Sequence, residues 1–227
     1  MLRLGTRYGG WIIPKNNTLD ENSIIYSGGV GEDISFDLIL SNKYNSNIVL
    51  IDPTARAVKH FSEVNEYYKT GQFKFSGDIQ KDYEQNIKNL KPNFNKIKYN
   101  NIGLWNEKTS LKFYKPKNKK FVSHSFINGM SSNNYDIVKV NTIKNIMEEC
   151  DHDKIDLLKI DIEGAEYKVL NNILDDKIFP KYLCIEFDLF IKGKDKNNNT
   201  KKIIERLKKN GYKIFANENM NITFIRT

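Results

Sequence analysis

Cysteine is scarce in this chain of 227 residues: there are two, Cys150 and Cys184, too far apart in sequence for a local metal pair. That argues against a disulfide-stapled scaffold and fits a reduced, cytoplasmic setting. Cys184 lies in an apolar run and reads as a small core residue. Long hydrophobic runs are missing too. None approaches the roughly 18–20 apolar residues a bilayer span requires, and Met1–Arg7 lacks the apolar stretch of a signal peptide. No membrane span is therefore expected. No internal repeat and no Pro/Gly/Ser-rich linker divides the chain, so its length fits one domain. Acidic residues are the minority, 28 against 36 lysines and arginines, for a formal charge of +8. The surplus sits largely in lysines among asparagines, as in 115–120 and 192–202. Solvated loops and the steering of an anionic acceptor both account for it. Nucleic acid is disfavoured, because interleaved aromatic and arginine residues are absent.

What is present is an ordinary folding composition, 39% hydrophobic and 12% aromatic, arranged as apolar runs alternating with helical patterns. That is the signature of βα units on a mainly parallel sheet. The pattern predicts strands at 23–26, 47–52, 96–105, 110–114, 155–161 and 182–188, with helices at about 33–43, 54–69, 142–150 and 163–174. Thr54 is placed to cap the second helix, and Thr200 to cap a later one that ends at Gly211. Two final strands, 213–216 and 222–226, should form an antiparallel pair. Residues 71–94 suggest a short strand and a polar helix, and 115–137 a long loop over the sheet edge. The expected fold is a single-domain, doubly wound α/β fold with an N-terminal segment, 1–22, lying over the site.

Three features of this pattern carry chemistry. Ser27 leads into Gly28, Gly29, Val30 and Gly31 directly after a strand and before a helix, where a tight turn brings backbone close to a ligand. Asp52 ends the next strand about 20 residues on, where a carboxylate can accept ribose hydroxyls. Both lie at carboxyl ends of strands, the usual ligand edge of an open α/β sheet. The dinucleotide fingerprint requires a further glycine where this chain has Ile34, and the Walker lysine is absent. Asp33 at the helix start would repel a pyrophosphate but suits the cationic amino-acid end of S-adenosylmethionine. A methyl donor is therefore favoured over a dinucleotide.

The most specific segment is Lys159–Glu166, KIDIEGAE, at a strand-to-helix junction. It resembles the hallmark of the FkbM-type family of S-adenosylmethionine-dependent methyltransferases. Further stretches agree: 5–14 (GTRYGGWIIP), 27–37 (SGGVGEDISFD), Asp52-Pro53-Thr54, and 102–105 (IGLW). The similarity runs from about residue 5 to 190. It implies a Rossmann-like class I methyltransferase fold over 23–227 and methyl transfer, usually to a hydroxyl of a sugar, glycan or natural product. The chain departs from the common class I pattern at Ser27, where an acid is usual, and at Asp33, where the third glycine is usual.

On this reading the donor contacts are Tyr8, Ser27, Gly28, Gly29, Val30, Gly31, Asp33, Asp52, Pro53, Gly103, Leu104, Trp105 and Asp161. Trp105 has two readings, stacking on an adenine or packing in the core, and Trp11 is a weaker candidate for covering the donor. At the junction, Asp161 is expected to face the donor and Glu163 the cleft, while Glu166 serves the helix start. Asp161 with Glu186 is open to a second reading as ligands for a divalent ion, although two carboxylates assign no metal by themselves. Methyl transfer requires alignment in a dry cleft and, for a hydroxyl, a general base. Of the three histidines, His60 and His152 read as surface residues. His124, in the 115–137 loop, is the candidate base or substrate contact, with a loop-stabilising role as the alternative. N-methylation and a non-catalytic binding module remain as alternative functions. The Asp/Asn-Pro-Pro-Tyr/Phe signature of base amino-group methylation is absent.

Overall fold

Runs of branched and aromatic residues become strands where both faces are covered, and the chain uses this repeatedly. In a computed structural model, residues 1–116, 124–126, 133–195, 197–219 and 221–227 are described. The N-terminal segment forms a hairpin of β1 (Leu2–Leu4) and β2 (Trp11–Ile13). β3 (Ile24–Gly28), α1 (Ser35–Tyr44), β4 (Asn47–Ile51) and α2 (Ala55–Thr70) then alternate, followed by the short α3 (Tyr83–Ile87) and β5 (Ile97–Asn100). β6 (Gly103–Leu104), β7 (Thr109–Tyr114) and β8 (Tyr135–Asn141) come next, then α4 (Ile143–Glu149), β9 (Leu157–Ile160) and α5 (Glu166–Asp175). The chain ends with β10 (Tyr182–Glu186), α6 (Asp188–Ile191), α7 (Asn199–Lys209), β11 (Tyr212–Glu218) and β12 (Asn221–Arg226).

The result is a mixed α/β architecture around one large sheet in the order β11-β12-β10-β9-β3-β4-β5. The five strands from β10 to β5 are parallel, whereas β12 runs antiparallel to β10 and β11 antiparallel to β12. The chain starts in the middle at β3, winds outward through β4 and β5, and returns to the other side of β3 as β9. The order therefore reverses at β3, and ligands of open α/β sheets bind in the crevice outside such a reversal. Two apolar layers cover the sheet: one includes Leu158, Ile160, Val169, Leu170 and Phe224, the other Ile25, Phe36, Leu38, Ile48 and Val64. Among the described residues no helix is long and apolar enough to cross a membrane.

Thr54 caps α2 as its position predicts, its hydroxyl accepting from the Ala57 N–H, and Gly71 ends that helix at φ +72°. Several expectations need correction. The single strand over 96–105 is two strands, because a turn at Asn100 and Asn101 sends β5 into the large sheet and β6 into a separate sheet with β7 and β8. β8 was missed, and the loop expected over 115–137 ends before Tyr135; much of β8 faces solvent, so its run carries little of the alternation that marks a buried face. The part of that expectation falling on 117–123 and 127–132 lies outside the described residues. No strand forms within 71–94. Thr200 does not cap α7: the Asp195 carboxylate accepts from the Asn199 and Thr200 N–H groups, and the Thr200 hydroxyl meets Tyr167 instead.

His60 is not a surface residue. It is buried under Phe75 and Tyr83, with Nε2 2.8 Å from the Tyr83 hydroxyl. His152 is half-buried and bonds the Tyr26 hydroxyl through Nδ1 at 3.0 Å. Both histidines satisfy aromatic neighbours that lie far from them in sequence.

Candidate active site

The turn after β3 is held by backbone. Gly29 donates to the Ile51 carbonyl at 2.9 Å, Asp161 N–H donates to Gly28, and the buried Lys159 ammonium donates to the Gly29 carbonyl at 2.7 Å. Gly29 has φ +72°, and a Cβ on it would stand 1.6 Å from the Asp161 carbonyl oxygen. Only glycine fits there. The glycine turn and the end of β9 are thus in direct backbone contact.

Asp52, nearly buried at the end of β4, has its carboxylate fixed from both sides. Oδ2 accepts from Gly31 N–H at 3.0 Å; Oδ1 accepts from the Thr54 N–H at 2.8 Å and its hydroxyl at 2.6 Å. A carboxylate offers about four acceptor positions, so one, on Oδ2, is left for a ligand hydroxyl. Asp33 is used to the same extent: it accepts from the Ser35 N–H and hydroxyl on one oxygen and from the Thr6 hydroxyl, at 2.5 Å, on the other. It therefore starts α1 and ties down the N-terminal segment. Burial raises its pKa above the usual carboxylate range.

The KIDIEGAE junction is built around Glu166. Fully buried, it accepts from the Ile162 and Gly164 N–H groups through Oε1 and so closes the turn. Glu163 sits in that turn at φ +57°, a conformation L-residues other than Asn and Asp seldom adopt. Its carboxylate pairs with Lys192, and its carbonyl accepts from the Ser125 hydroxyl at 2.7 Å. That bond fastens 124–126 over the junction; Ser125 also pairs both ways with the Tyr114 backbone at the end of β7.

These groups surround one open cleft. Of the residues expected from sequence, Tyr8, Gly29, Val30, Gly31, Asp33, Asp52, Pro53, Gly103, Leu104, His124, Asp161 and Glu163 line it. Ser27, Gly28 and Trp105 are outside the lining. Ser27 is buried beneath the turn, and Gly28 is closed off by Leu104, whose Cδ1 would lie 2.4 Å from an added Cβ. Trp105 lies against Phe126 and under the Lys168 ammonium. Trp11 is buried in the core with Ile13 and Phe36. The sequence reading missed Gly9, Glu32, Ile51, Thr54, Phe113, Phe126, Lys159 and Ile162, which also line the cleft. Lys159 and Ile162 stood inside the recognised motif. Phe113 and Phe126, stacked at 4.3 Å with His124 tilted on Phe113 at 5.2 Å, come from separate segments that only the fold unites.

The electrostatics are acidic at one end. Tyr8 is more than half exposed at the mouth, yet partial desolvation and the carboxylates of Asp161, Glu186, Glu163 and Asp33 together hold its phenol above the ordinary value. Among the described residues, Lys159 is the cation beside Asp161, at 3.8 Å. A cleft with a glycine turn, a spare carboxylate acceptor, an aromatic wall and an anionic end suits a ligand carrying a ribose and a positive charge.

A family model described as Methyltransferase FkbM domain matches residues 20–214. Comparison with curated proteins and with solved structures found no match.

Proposed function

The chain belongs to the FkbM methyltransferase family, and from that premise we propose that it moves a methyl group from S-adenosylmethionine to a hydroxyl of a sugar, glycan or other small molecule. One observation carries this reading: the Gly29–Gly31 turn, Asp52 and Asp161 converge on a single cleft at the carboxyl edge of the sheet. The strand order around the reversal supports a Rossmann-like class I fold. Residues 1–22, which bring Tyr8 and Gly9 to the mouth, serve as its cover.

The side chains fit the donor. The free position on Asp52 Oδ2 accepts a ribose hydroxyl, while the backbone of Gly29 to Gly31 lies alongside. Asp161 and Glu163 hold a cationic group by charge and need not touch the acceptor. When bound, S-adenosylmethionine supplies an electrophilic methyl group on a sulfonium. Leu104, Phe113 and Phe126 exclude water from the approach path. An imidazole nitrogen of His124 takes the proton of the acceptor hydroxyl as its oxygen attacks.

Calorimetric titration with S-adenosylmethionine, S-adenosylhomocysteine and NAD tests this. Binding of the two sulfur compounds and not NAD is expected. Binding of NAD alone would overturn the assignment, and donor binding without turnover on a hydroxyl panel would favour a non-catalytic module.

A further inference from the structure

Asp161 and Glu163 answer positive charge on the donor, but S-adenosylmethionine also carries an α-carboxylate. Most of the cleft is hostile to that group. Among the described residues its lining holds five carboxylates, from Glu32, Asp33, Asp52, Asp161 and Glu163, against one lysine or arginine, Lys159. Glu32 and Glu163 are paired with Arg56 and Lys192, which do not line the cleft. An anion entering here meets like charge everywhere except at Lys159.

Lys159 owes its place to the alternation of β9. Leu158 and Ile160 enter one apolar layer, so Lys159 between them projects from the opposite face, where Ser27 of β3 and Cys184 of β10 flank it. It is 4% exposed. An ammonium offers three N–H donors, and the Gly29 carbonyl takes one at 2.7 Å. Asp161, at 3.8 Å, attracts it by charge but lies beyond hydrogen-bond reach. No other hydrogen bond to this ammonium occurs among the described residues. Buried donors without acceptors are costly, and these stand on the wall of the cleft. The fully buried Asp37 gives Lys159 a structural use as well, since the ammonium favours its charged form. That interaction acts through charge and leaves the remaining donors unassigned.

Lys159 and Asp161 thus present opposite charges side by side, the complement of an amino-acid zwitterion. A buried ammonium is a strong partner for a carboxylate because the hydrogen bond is charge-assisted. We infer that Lys159 binds the α-carboxylate of the donor while Asp161 takes its ammonium. The chain therefore selects donors with a complete amino-acid end over decarboxylated ones. This assignment rests on the proposed methyl-donor function and adds to it the residue that reads the end of the donor.

Calorimetry on the full chain with S-adenosylhomocysteine and its decarboxylated analogue, which keeps the nucleoside, thioether and amine, tests this. Wild type should bind the complete compound about tenfold to hundredfold more tightly, as a charge-assisted hydrogen bond provides. In Lys159→Met that ratio should fall to within about threefold of one, whatever common loss a loosened Gly29 turn imposes on both ligands. Lys159→Gln, which keeps a polar donor for the turn, should lose most of the ratio too. A purely structural lysine would weaken both ligands alike and leave the ratio at its wild-type value, which refutes the assignment. Equal binding of both compounds by wild type refutes it without any variant and leaves the donor reading standing. Binding of neither compound by wild type overturns the donor reading, and this assignment with it.

Discussion

Protonating His60 in place would put an imidazolium beneath Phe75 and Tyr83. Burial lowers its pKa from 6.5 to about 4. The unfolded chain titrates near 6.5, so between these values it binds a proton that the folded chain refuses. The stability contributed by neutral His60 is present above the unfolded value and is lost as pH falls toward the folded one. The difference of about 2.5 pH units corresponds to about 3 kcal/mol, of which about 2–3 kcal/mol is gone by about pH 4.5. With 1% of the residue exposed, solvent screens little of this. Asp37 acts in the opposite sense. Fully buried and pushed up to about 6, it stabilises the fold while protonated, and that benefit is lost as pH rises through about 6. The raw pH profile therefore mixes slopes of opposite sign, and a difference between proteins isolates that of His60. His60→Gln removes the titration while retaining a polar group to meet the Tyr83 hydroxyl. Urea unfolding of wild type and variant, followed by circular dichroism from pH 7.5 to pH 4.5, should show wild type losing about 2–3 kcal/mol relative to the variant. A difference that stays flat to within about 0.5 kcal/mol over that range would refute the buried, neutral histidine.

Three further outcomes are expected. Asp52→Ala removes the spare acceptor and the anchors of Gly31 and Thr54; donor affinity measured by calorimetry should fall by about 1–3 kcal/mol, and unchanged affinity would place the ribose elsewhere. Gly29→Ala forces a methyl group onto the Asp161 carbonyl at 1.6 Å in a positive-φ conformation. It should cost about 3 kcal/mol or more in denaturant unfolding and impair donor binding; a variant of wild-type stability would mean the turn is looser than described. His124→Ala should lower turnover while leaving S-adenosylhomocysteine affinity unchanged, and normal turnover would remove it as the base.

The alternation of β3, α1, β4 and α2 was legible because the elements carry their own period and punctuation, Gly28 to Gly31 and Thr54. The KIDIEGAE junction was legible because it resembles the hallmark of the FkbM-type family, and the structure adds that Glu166 closes its turn. What escaped shares one cause, dependence on partners distant in the chain. β8 acquires its identity from pairing with β7 and β6, and β1 with β2 from packing under the sheet. His60 gives no sign in its own helix that Tyr83 and Phe75 will cover it. In the cleft, the acids and glycines could be read along the sequence, whereas the wall of Phe113, Phe126 and His124 exists only after Ser125 has been fastened to Tyr114 and Glu163. The strand expected over 182–188 stops at Glu186, because α6 begins at Asp188.

The contact between Gly29 and the Asp161 carbonyl divides the molecule by tolerance to change. On one side of it, no side chain can be added without separating two strands of the central sheet, so that half behaves as a rigid casting. The 124–126 strip rests on that casting from outside, through hydrogen bonds that many sequences could supply. The β7–β8 side can therefore be rebuilt while the turn and the end of β9 stay as they are.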